Sequence, residues 1–515
     1  MNRKYIAVLI LIMAVAAFFR FWHFASIPPG LYQDEAMNGA DALASLHSGS
    51  FKIFYENNNG REGMIIWLDA LAIKLFGAHP WVLRLFPALA GLSAVLGIYF
   101  LAAELFGVET ALISSFLAAT GFWAVNFSRI GFRAGLMLFF LVWSFYFLVR
   151  GFKMSLSGDY AKAIWNFVPA GILFGSGIYT YIAYRFAPVL AIFAFGPTIF
   201  KNRADKKLWL GVLIFILAAF FAALPAGIYF LRHPADFSGR ASGLFVLSSP
   251  SPVLATLASV AETLGMFNFF GDFNWRQNYA GSPELFWPIG LAFLLGLYLC
   301  LKKFDFKGRL LIFWLAIFLL PGILTNEGNP HALRTLGAMP AAMMIAGVGL
   351  FWFYKKIQKI AAGSKNPRLK KEFFWLFIAF LIFVGGWNFN EYFNLWAADP
   401  NTASAFSSDQ VAIADYLNGL PPQTKKYAIW SADDRATDNG LPVSAQTVYF
   451  LTADKTRVDY LKSDELDKII PAGEGTIVVP IYFDLNLIHN LNRRFPRSKT
   501  EFIYHNAPVV IIPKL

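Results

Sequence analysis

The sequence predicts an α-helical polytopic membrane protein of about eleven transmembrane helices, with a small α/β domain at its C-terminal end on the extracytoplasmic side. Three observations predict it. The first is composition: 57% of the 515 residues are hydrophobic, 17% are aromatic and only 15% are charged, whereas soluble domains carry about 25% charged residues. The second is the recurrence of apolar runs near the ~20 residues that cross a bilayer. They fall near 5–24, 81–105, 109–127, 135–152, 163–181, 185–200, 208–230, 285–302, 309–325, 335–354 and 373–392. The third is a change to soluble composition after residue 392.

The first run follows Met1-Asn-Arg-Lys4, which looks like a signal-peptide n-region. The run is long and no A-x-A-like cleavage site precedes Pro28, so an uncleaved anchor is expected. Pro28, Pro29 and Gly30 then break the helix. A new helix follows, with Asp34, Asn38, Asp41 and Ser45 along one polar stripe and Met37, Ala40 and Ala44 on the apolar one. Residues 64–76 are amphipathic and interrupted by Asp69 and Lys74, which suits a helix lying in the membrane interface.

Loop charge sets the orientation. Arg3 and Lys4, then Arg150, Lys153 and Lys162, then Lys201, Arg203, Lys206 and Lys207, then Lys302, Lys303, Lys307 and Arg309, and finally Lys355 to Lys371 all fall on one side. By the positive-inside rule that side is cytoplasmic. The net charge of +12 is explained by these loops and calls for no nucleic-acid partner. The other side holds long loops at 25–80 and 231–284. The expected domains are therefore 1–392 in the membrane and 393–515 outside it. In the tail, Ser408 to Leu417 and Leu485 to Phe495 read as helices, and Lys426 to Trp430, Thr476 to Ile481 and Val509 to Ile512 as strands. The tail shows no Gly-rich phosphate loop or nucleophile elbow, so it is expected to pack or to position an acceptor.

Chemistry-bearing residues gather at the outer face. Asp34 and Glu35 adjoin the end of the first run. They suit a helix N-terminus, where acids satisfy free N–H groups, and they also suit a general base at the lip of a membrane cavity. Arg129 and Arg133 stand at i, i+4, Arg185 begins the sixth run, and His331 and Arg334 stand at i, i+3 before the tenth. Outer arginines run against the positive-inside trend. Snorkelling explains such residues, and so does binding of a lipid phosphate by the guanidinium fork. The polar segment containing Asp272, Asn274 and Arg276 suits either a lipid carrier or an acceptor. His47, His79, His233 and His331 are scattered without HxxxH spacing, so no metal site is assigned. The lone Cys300 excludes an intramolecular disulfide and a cysteine cluster.

Taken in order, Asp34-Glu35, Gly60-Arg-Glu62, Trp81-Val-Leu-Arg-Leu-Phe-Pro87, Ser128-Arg-Ile-Gly-Phe-Arg133 and the His331/Arg334 loop resemble the GT-C polyprenyl-phosphate-sugar glycosyltransferases. Family 39, with the protein O-mannosyltransferases, the lipid A aminoarabinose transferase and the RgtA/B/C/D-like enzymes, is the most similar branch. The likeness covers roughly residues 5–350. It implies a hexosyl- or pentosyltransferase of the cell membrane that moves a sugar from a polyprenyl-phosphate donor to a glycan, lipid or protein acceptor. Asp34 would be the inverting general base, with Glu35 in support. Arg334, Arg185, His331, Arg129 and Arg133 would meet the donor phosphate. Arg61, Glu62, Asp272, Asn274 and Arg276 would meet sugar or acceptor. The resemblance fixes no cofactor and is compatible with a divalent metal. Two other readings use the same apolar groove. A lipid-linked sugar transporter or flippase would favour charges near the midplane, and an O-antigen ligase-like enzyme would place its key residues in a late loop.

Overall fold

The computed structural model describes all residues except 1, 243–244, 326–327, 365, 367, 472–474, 505–506 and 514–515. Met1 of the expected leader-like segment and Lys365 of the last basic loop thus lie outside the described residues. In chain order the first half comprises α1 (Arg3–Phe21), α2 (Gln33–Ser48), β1 (Phe54–Tyr55), β2 (Arg61–Glu62), α3 (Met64–Phe76), α4 (Leu85–Phe106), α5 (Val108–Thr120), α6 (Phe122–Arg129), α7 (Arg133–Leu156), α8 (Tyr160–Ser176), α9 (Ala187–Lys201) and α10 (Lys206–Arg232). Then come α11 (Pro234–Ser242), α12 (Pro252–Gly265), α13 (Trp287–Lys303), α14 (Phe306–Ile323), α15 (Met339–Gly363), α16 (Leu369–Phe389), α17 (Pro400–Ala405) and α18 (Ser408–Gly419). The chain closes with β3 (Lys425–Trp430), α19 (Gln446–Thr452), β4 (Asp459–Lys462), β5 (Thr476–Pro480), α20 (Leu485–Arg494), β6 (Lys499–Ile503) and β7 (Ala507–Ile512).

Every apolar run predicted to span is helical. Among the described residues, eight helices are long and apolar enough to cross a membrane, and nine if the α5–α6 pair, bent by 55°, is one span. The expectation of eleven exceeds this because α8 and α13 are 17 residues each. Helix α8 gives way to a 3₁₀ turn at Gly177, and α13 stops at Phe304, whose backbone is left-handed. The α5–α6 bend falls at Gly121, which adopts an extended conformation (φ −62°, ψ 135°).

The chain divides into two compact units, Met1–Trp22 with Glu62–Met64 and Phe86–Trp396, and His23–Arg61 with Ile65–Leu85 and Ala397–Leu515. Residues 23–61 and 65–85 thus share a unit with residues 397–515, while Glu62–Met64 group with the spans.

In the first unit, small residues bring helices together. Helix α8 packs on α7 and α10. A methyl group added at Gly171 or Gly175 would overlap the carbonyl of Phe215 or Ala219 on α10. At the α13–α15 crossing, Gly296 and Gly349 lie in the same way against the carbonyls of Ile345 and Ala292. Between apolar helices in lipid the drive is close packing, and small residues four apart provide it.

In the second unit the sheet order is β4-β3-β5-β7-β6. Strand β3 runs parallel to β4 and β5, and β7 is antiparallel to β5 and β6. Side chains alternate across it. Ala428, Trp430, Ile477 and Val479 pack with Ile413 and Leu417 of α18 and Val448 of α19, while Tyr427, Ile429, Val478 and Val510 pack with Leu487 and Leu491 of α20. A sheet covered on both faces needs strands that are apolar on both sides, which is why β3, β5 and β7 stand out in the sequence. Edge strands β4 and β6 are half-buried or exposed and mixed in polarity, and they escape sequence reading. Helix α2 packs on α19 in this unit, where the Thr447 hydroxyl donates to the Leu31 carbonyl at 3.1 Å.

Candidate functional site

Three groups of side chains, with Arg129 apart from them, hold the residues singled out from the sequence. In the second unit, the break at Pro28-Pro29-Gly30 delivers Tyr32 as the N-cap of α2, in extended conformation. Glu35 reaches back and accepts from the Tyr32 backbone N–H at 3.1 Å. The same carboxylate, 0% exposed, is bound at both oxygens by Arg84, from Nε at 2.9 Å and Nη2 at 3.1 Å. Arg84 also donates to the carbonyls of Pro28 and Gly30 at 2.7 and 2.8 Å. One buried guanidinium thus closes the turn that starts α2 and neutralises Glu35.

Asp34 is different. It is half-buried and accepts one hydrogen bond, from the Asn58 side-chain amide to Oδ1 at 2.7 Å. Its Oδ2 has no hydrogen-bond partner among the described residues. Asn58 is presented by a tight turn in which Asn58, Asn59 and Gly60 all have positive φ, a conformation Asn and Gly tolerate best. The polar stripe of α2 meets this hairpin throughout. Asn38 accepts from Arg61 at 2.8 Å, Asp41 pairs with the same guanidinium, and Ser45 bonds Tyr55 at 2.9 Å. Arg61 is 2% exposed, so the contact with sugar or acceptor expected of it gives way to holding the hairpin against α2. On α3, Asp69 is fully buried and neither oxygen has a hydrogen-bond partner among the described residues. Burial, reinforced by the Glu35 charge, holds its carboxyl well above the usual carboxylate range.

In the first unit Glu62 is the centre of a charge cluster. It is buried, with Arg133 Nε at 3.1 Å and Arg185 Nη2 at 3.7 Å. Arg133 lies over the Tyr181 ring, and Arg185 lies over Phe237 at 4.1 Å while donating to its carbonyl. Both guanidiniums thus face this one carboxylate among the described residues. Arg129 is not part of this cluster. It is 0% exposed, donates to the carbonyls of Phe19 and Trp22 at 3.0 and 2.7 Å, and rests on Tyr392 and Phe393. The phosphate contact expected of Arg129 gives way to capping the C-terminal end of α1, whose last carbonyls have no helical partners.

Asp272, Asn274 and Arg276 form a brace. Asp272 accepts from the backbone N–H of Asn274 at 2.7 Å and of Ala332 at 2.8 Å, and His331 Nδ1 lies 3.8 Å from Oδ2. Gln277 accepts from the Leu333 N–H at 3.1 Å. Asn274 accepts from the backbone and Nε of Arg276, whose carbonyl in turn takes a bond from Asn126 on α6. Burial pushes the Asp272 carboxyl up to about 6, against the pull of those hydrogen bonds and of Arg276 and Arg334. Burial, with the nearby Asp272, also raises Glu284 well above its ordinary value. The brace fixes the loop that carries His331 and Arg334. Arg334 is half-buried and donates to the Thr325 hydroxyl at 2.8 Å. No group of three His, Cys, Asp or Glu residues able to hold a metal occurs among the described residues.

Sequence reasoning passed over Arg84 and Asn58 as site residues. Arg84 stands at the start of an apolar run, where a lone cation has a partner to find. Asn58 lies in an Asn-Asn-Asn-Gly turn that no catalytic pattern marks.

Comparison with known proteins agrees with this architecture. A family model described as dolichyl-phosphate-mannose-protein mannosyltransferase matches residues 63–225. Two provisionally named mannosyltransferases of Bacillus subtilis (strain 168) are similar. YycA is 25% identical over 173 residues, 32% of this chain and 23% of that protein. YkcB is 26% identical over 203 residues, 37% of this chain and 26% of that protein. The chain thus matches about a quarter of the length of each. Solved structures share the fold. ArnT from Cupriavidus metallidurans bound to undecaprenyl phosphate superposes with a TM-score of 0.58 at 14% identity, covering 99% of this chain and 97% of that one. The Archaeoglobus fulgidus oligosaccharyltransferase tethered to an acceptor peptide gives 0.52 at 15% identity, covering 89% and 64%. The same organism's AglB, in complex with an inhibitory peptide and a dolichol-phosphate, gives 0.50 at 15%, covering 93% and 69%.

Proposed function

We propose that this chain, a multi-pass membrane protein of the GT-C polyprenyl-phosphate-sugar glycosyltransferase type, moves a sugar from a polyprenyl-phosphate carrier to an acceptor hydroxyl on the extracytoplasmic face, with inversion and with Asp34 as general base. The acceptor oxygen attacks the anomeric carbon and its proton passes to Asp34. The bond from that carbon to the carrier phosphate breaks, and its electrons leave with the phosphate. The sugar is a hexose or pentose, and the acceptor a glycan, lipid or protein. The family match supports the reaction class. The undecaprenyl and dolichol phosphates named with ArnT and AglB support a lipid-phosphate donor, and the peptides named with the Archaeoglobus structures support an acceptor of glycan or protein kind.

The carrying observation is the division of labour within the Asp34-Glu35 pair. Glu35 is sealed under Arg84 and cannot meet a substrate, whereas Asp34 is half-buried and held by a single amide. A general base needs reach to the acceptor proton, and of the two carboxylates Asp34 is the one left accessible. Glu35 becomes a positioning residue. Arg133 and Arg185 of the Glu62 cluster, and Arg334 with His331, are the groups we assign to the leaving phosphate, since fixed cations stabilise charge as it develops. Asp272, Asn274 and Arg276 act by holding the Arg334 loop.

Asp34→Asn tests this reading. The amide keeps the size and can accept from Asn58, but it takes no proton. Loss of a general base lowers rate by about 10²–10⁴-fold. The purified variant should bind the donor lipid and transfer almost no sugar; transfer near the parent rate would remove the central residue of the proposal.

A further inference from the structure

A cavity of about 730 Å³ opens in the first unit where the last turns of α4 and α13 and the first turns of α5 and α14 meet the middle of α15. That volume lies within the roughly 300–1,000 Å³ of sites that take small ligands. Its wall is apolar, with Phe106, Leu299, Val348, Phe351 and Trp352. Its charged lining is Lys302, Lys303, Lys307 and Lys355 against the single carboxylate Asp305, a formal balance of +3. Asp305 is occupied: it caps α14 through the Gly308 N–H and pairs with Lys303 at 3.5 Å. The other three lysines have no carboxylate at ion-pair distance among the described residues. Each instead has its ammonium over a ring: Lys302 over Tyr298 at 5.7 Å, Lys307 over Phe106 at 5.9 Å and Lys355 over Phe351 at 5.3 Å.

The cavity lies at the end of the helices that carries the basic loops. The Tyr5 hydroxyl, near the start of α1, donates to Glu109 at the start of α5 at 3.0 Å, which puts the first turn of α1 at the same end. Tyr298 and Trp352 are both exposed there, as expected of aromatics at headgroup level. Cationic groups above an apolar wall at this depth match a phosphate ester joined to acyl chains, because basic pockets between spans on the cytoplasmic side bind anionic headgroups. We propose that this cavity is a binding site for an anionic glycerophospholipid of the cytoplasmic leaflet. Its phosphate sits among Lys302, Lys307 and Lys355, and an acyl chain lies against Leu299, Val348 and Trp352. The site is separate from the residues assigned to sugar transfer and does not depend on that assignment.

Native mass spectrometry of the full-length protein in detergent tests the proposal, with phosphatidylglycerol, phosphatidylcholine and inorganic phosphate as probes. Phosphatidylglycerol should be retained at least about tenfold better than phosphatidylcholine, because basic groups near the surface attract anionic headgroups. The preference should fall as salt rises and vanish in Lys302→Gln/Lys307→Gln/Lys355→Gln. A control triple, Lys201→Gln/Lys206→Gln/Lys207→Gln, should keep it. Millimolar inorganic phosphate should leave the lipid bound. Equal retention of both lipids, unchanged retention in the cavity triple, equal loss in the control triple, or displacement by free phosphate would each overturn the site. If the cavity triple unfolds, the salt dependence of the parent and the single variant Lys355→Glu carry the test, and a salt-independent preference would overturn it as well.

Discussion

Arg84 shows how much one side chain decides at the residue scale. Its guanidinium donates to Glu35 at both oxygens and to two carbonyls of the Pro28–Gly30 turn. An ion pair sequestered from water has little screening, and breaking it strands the remaining charge. Arg84→Ala should therefore cost about 3–5 kcal/mol, seen as a lower thermal unfolding midpoint in detergent. Adding Glu35→Gln to Arg84→Ala should recover part of that loss, because the uncompensated carboxylate is gone while Gln can still accept from Tyr32. Strictly additive losses would show that the two side chains act independently.

At the scale of elements, the brace of residues 271–284 acts on the loop before α15 through Asp272. Its carboxyl titrates at about 6 in the folded chain, against an ordinary value of 3.8, with burial as the largest cause. A carboxyl raised in this way contributes stability that is fully present below pH 3.8 and is lost as pH rises through about 6. Stability should thus fall across that window relative to Asp272→Asn, which has no such titration. Unfolding midpoints of the two proteins at pH 4, 5, 6 and 7 measure the difference, and parallel profiles would contradict the assignment. The helices illustrate a second point at this scale. Their apolar runs are legible in the sequence, but the seams between them depend on where Gly171, Gly175, Gly296 and Gly349 meet a neighbouring backbone.

Across the whole molecule the arrangement of basic loops makes a prediction about sides. If the positive-inside rule holds here, placing Lys206 in the cytoplasm and residues 397–515 outside as proposed, Lys499→Cys should react with a membrane-impermeant maleimide in intact cells. Lys206→Cys should react only after permeabilisation. Both positions are exposed, and the single natural thiol, Cys300, is buried, so the background is low. Labelling of Lys206→Cys in intact cells would reverse the orientation and the placing of Asp34.

The sequence by itself determined the class of this protein: apolar runs of bilayer length, a biased distribution of lysine and arginine, and strands β3, β5 and β7 whose both faces are apolar. It also determined that Asp34 and Glu35 stand at a helix start, because spacing along a chain fixes what faces what within one helix. It did not determine which of the two is available. That depends on Arg84, 49 residues away from Glu35, and no local period carries information over such a distance. The same holds for Arg129, expected at the donor phosphate, and Arg61, expected at sugar or acceptor, which are buried against carbonyls and carboxylates. Only the tertiary structure decides where a long charged side chain finds its partners, because burying it is tolerable only when those partners, brought together by folding, satisfy its charge.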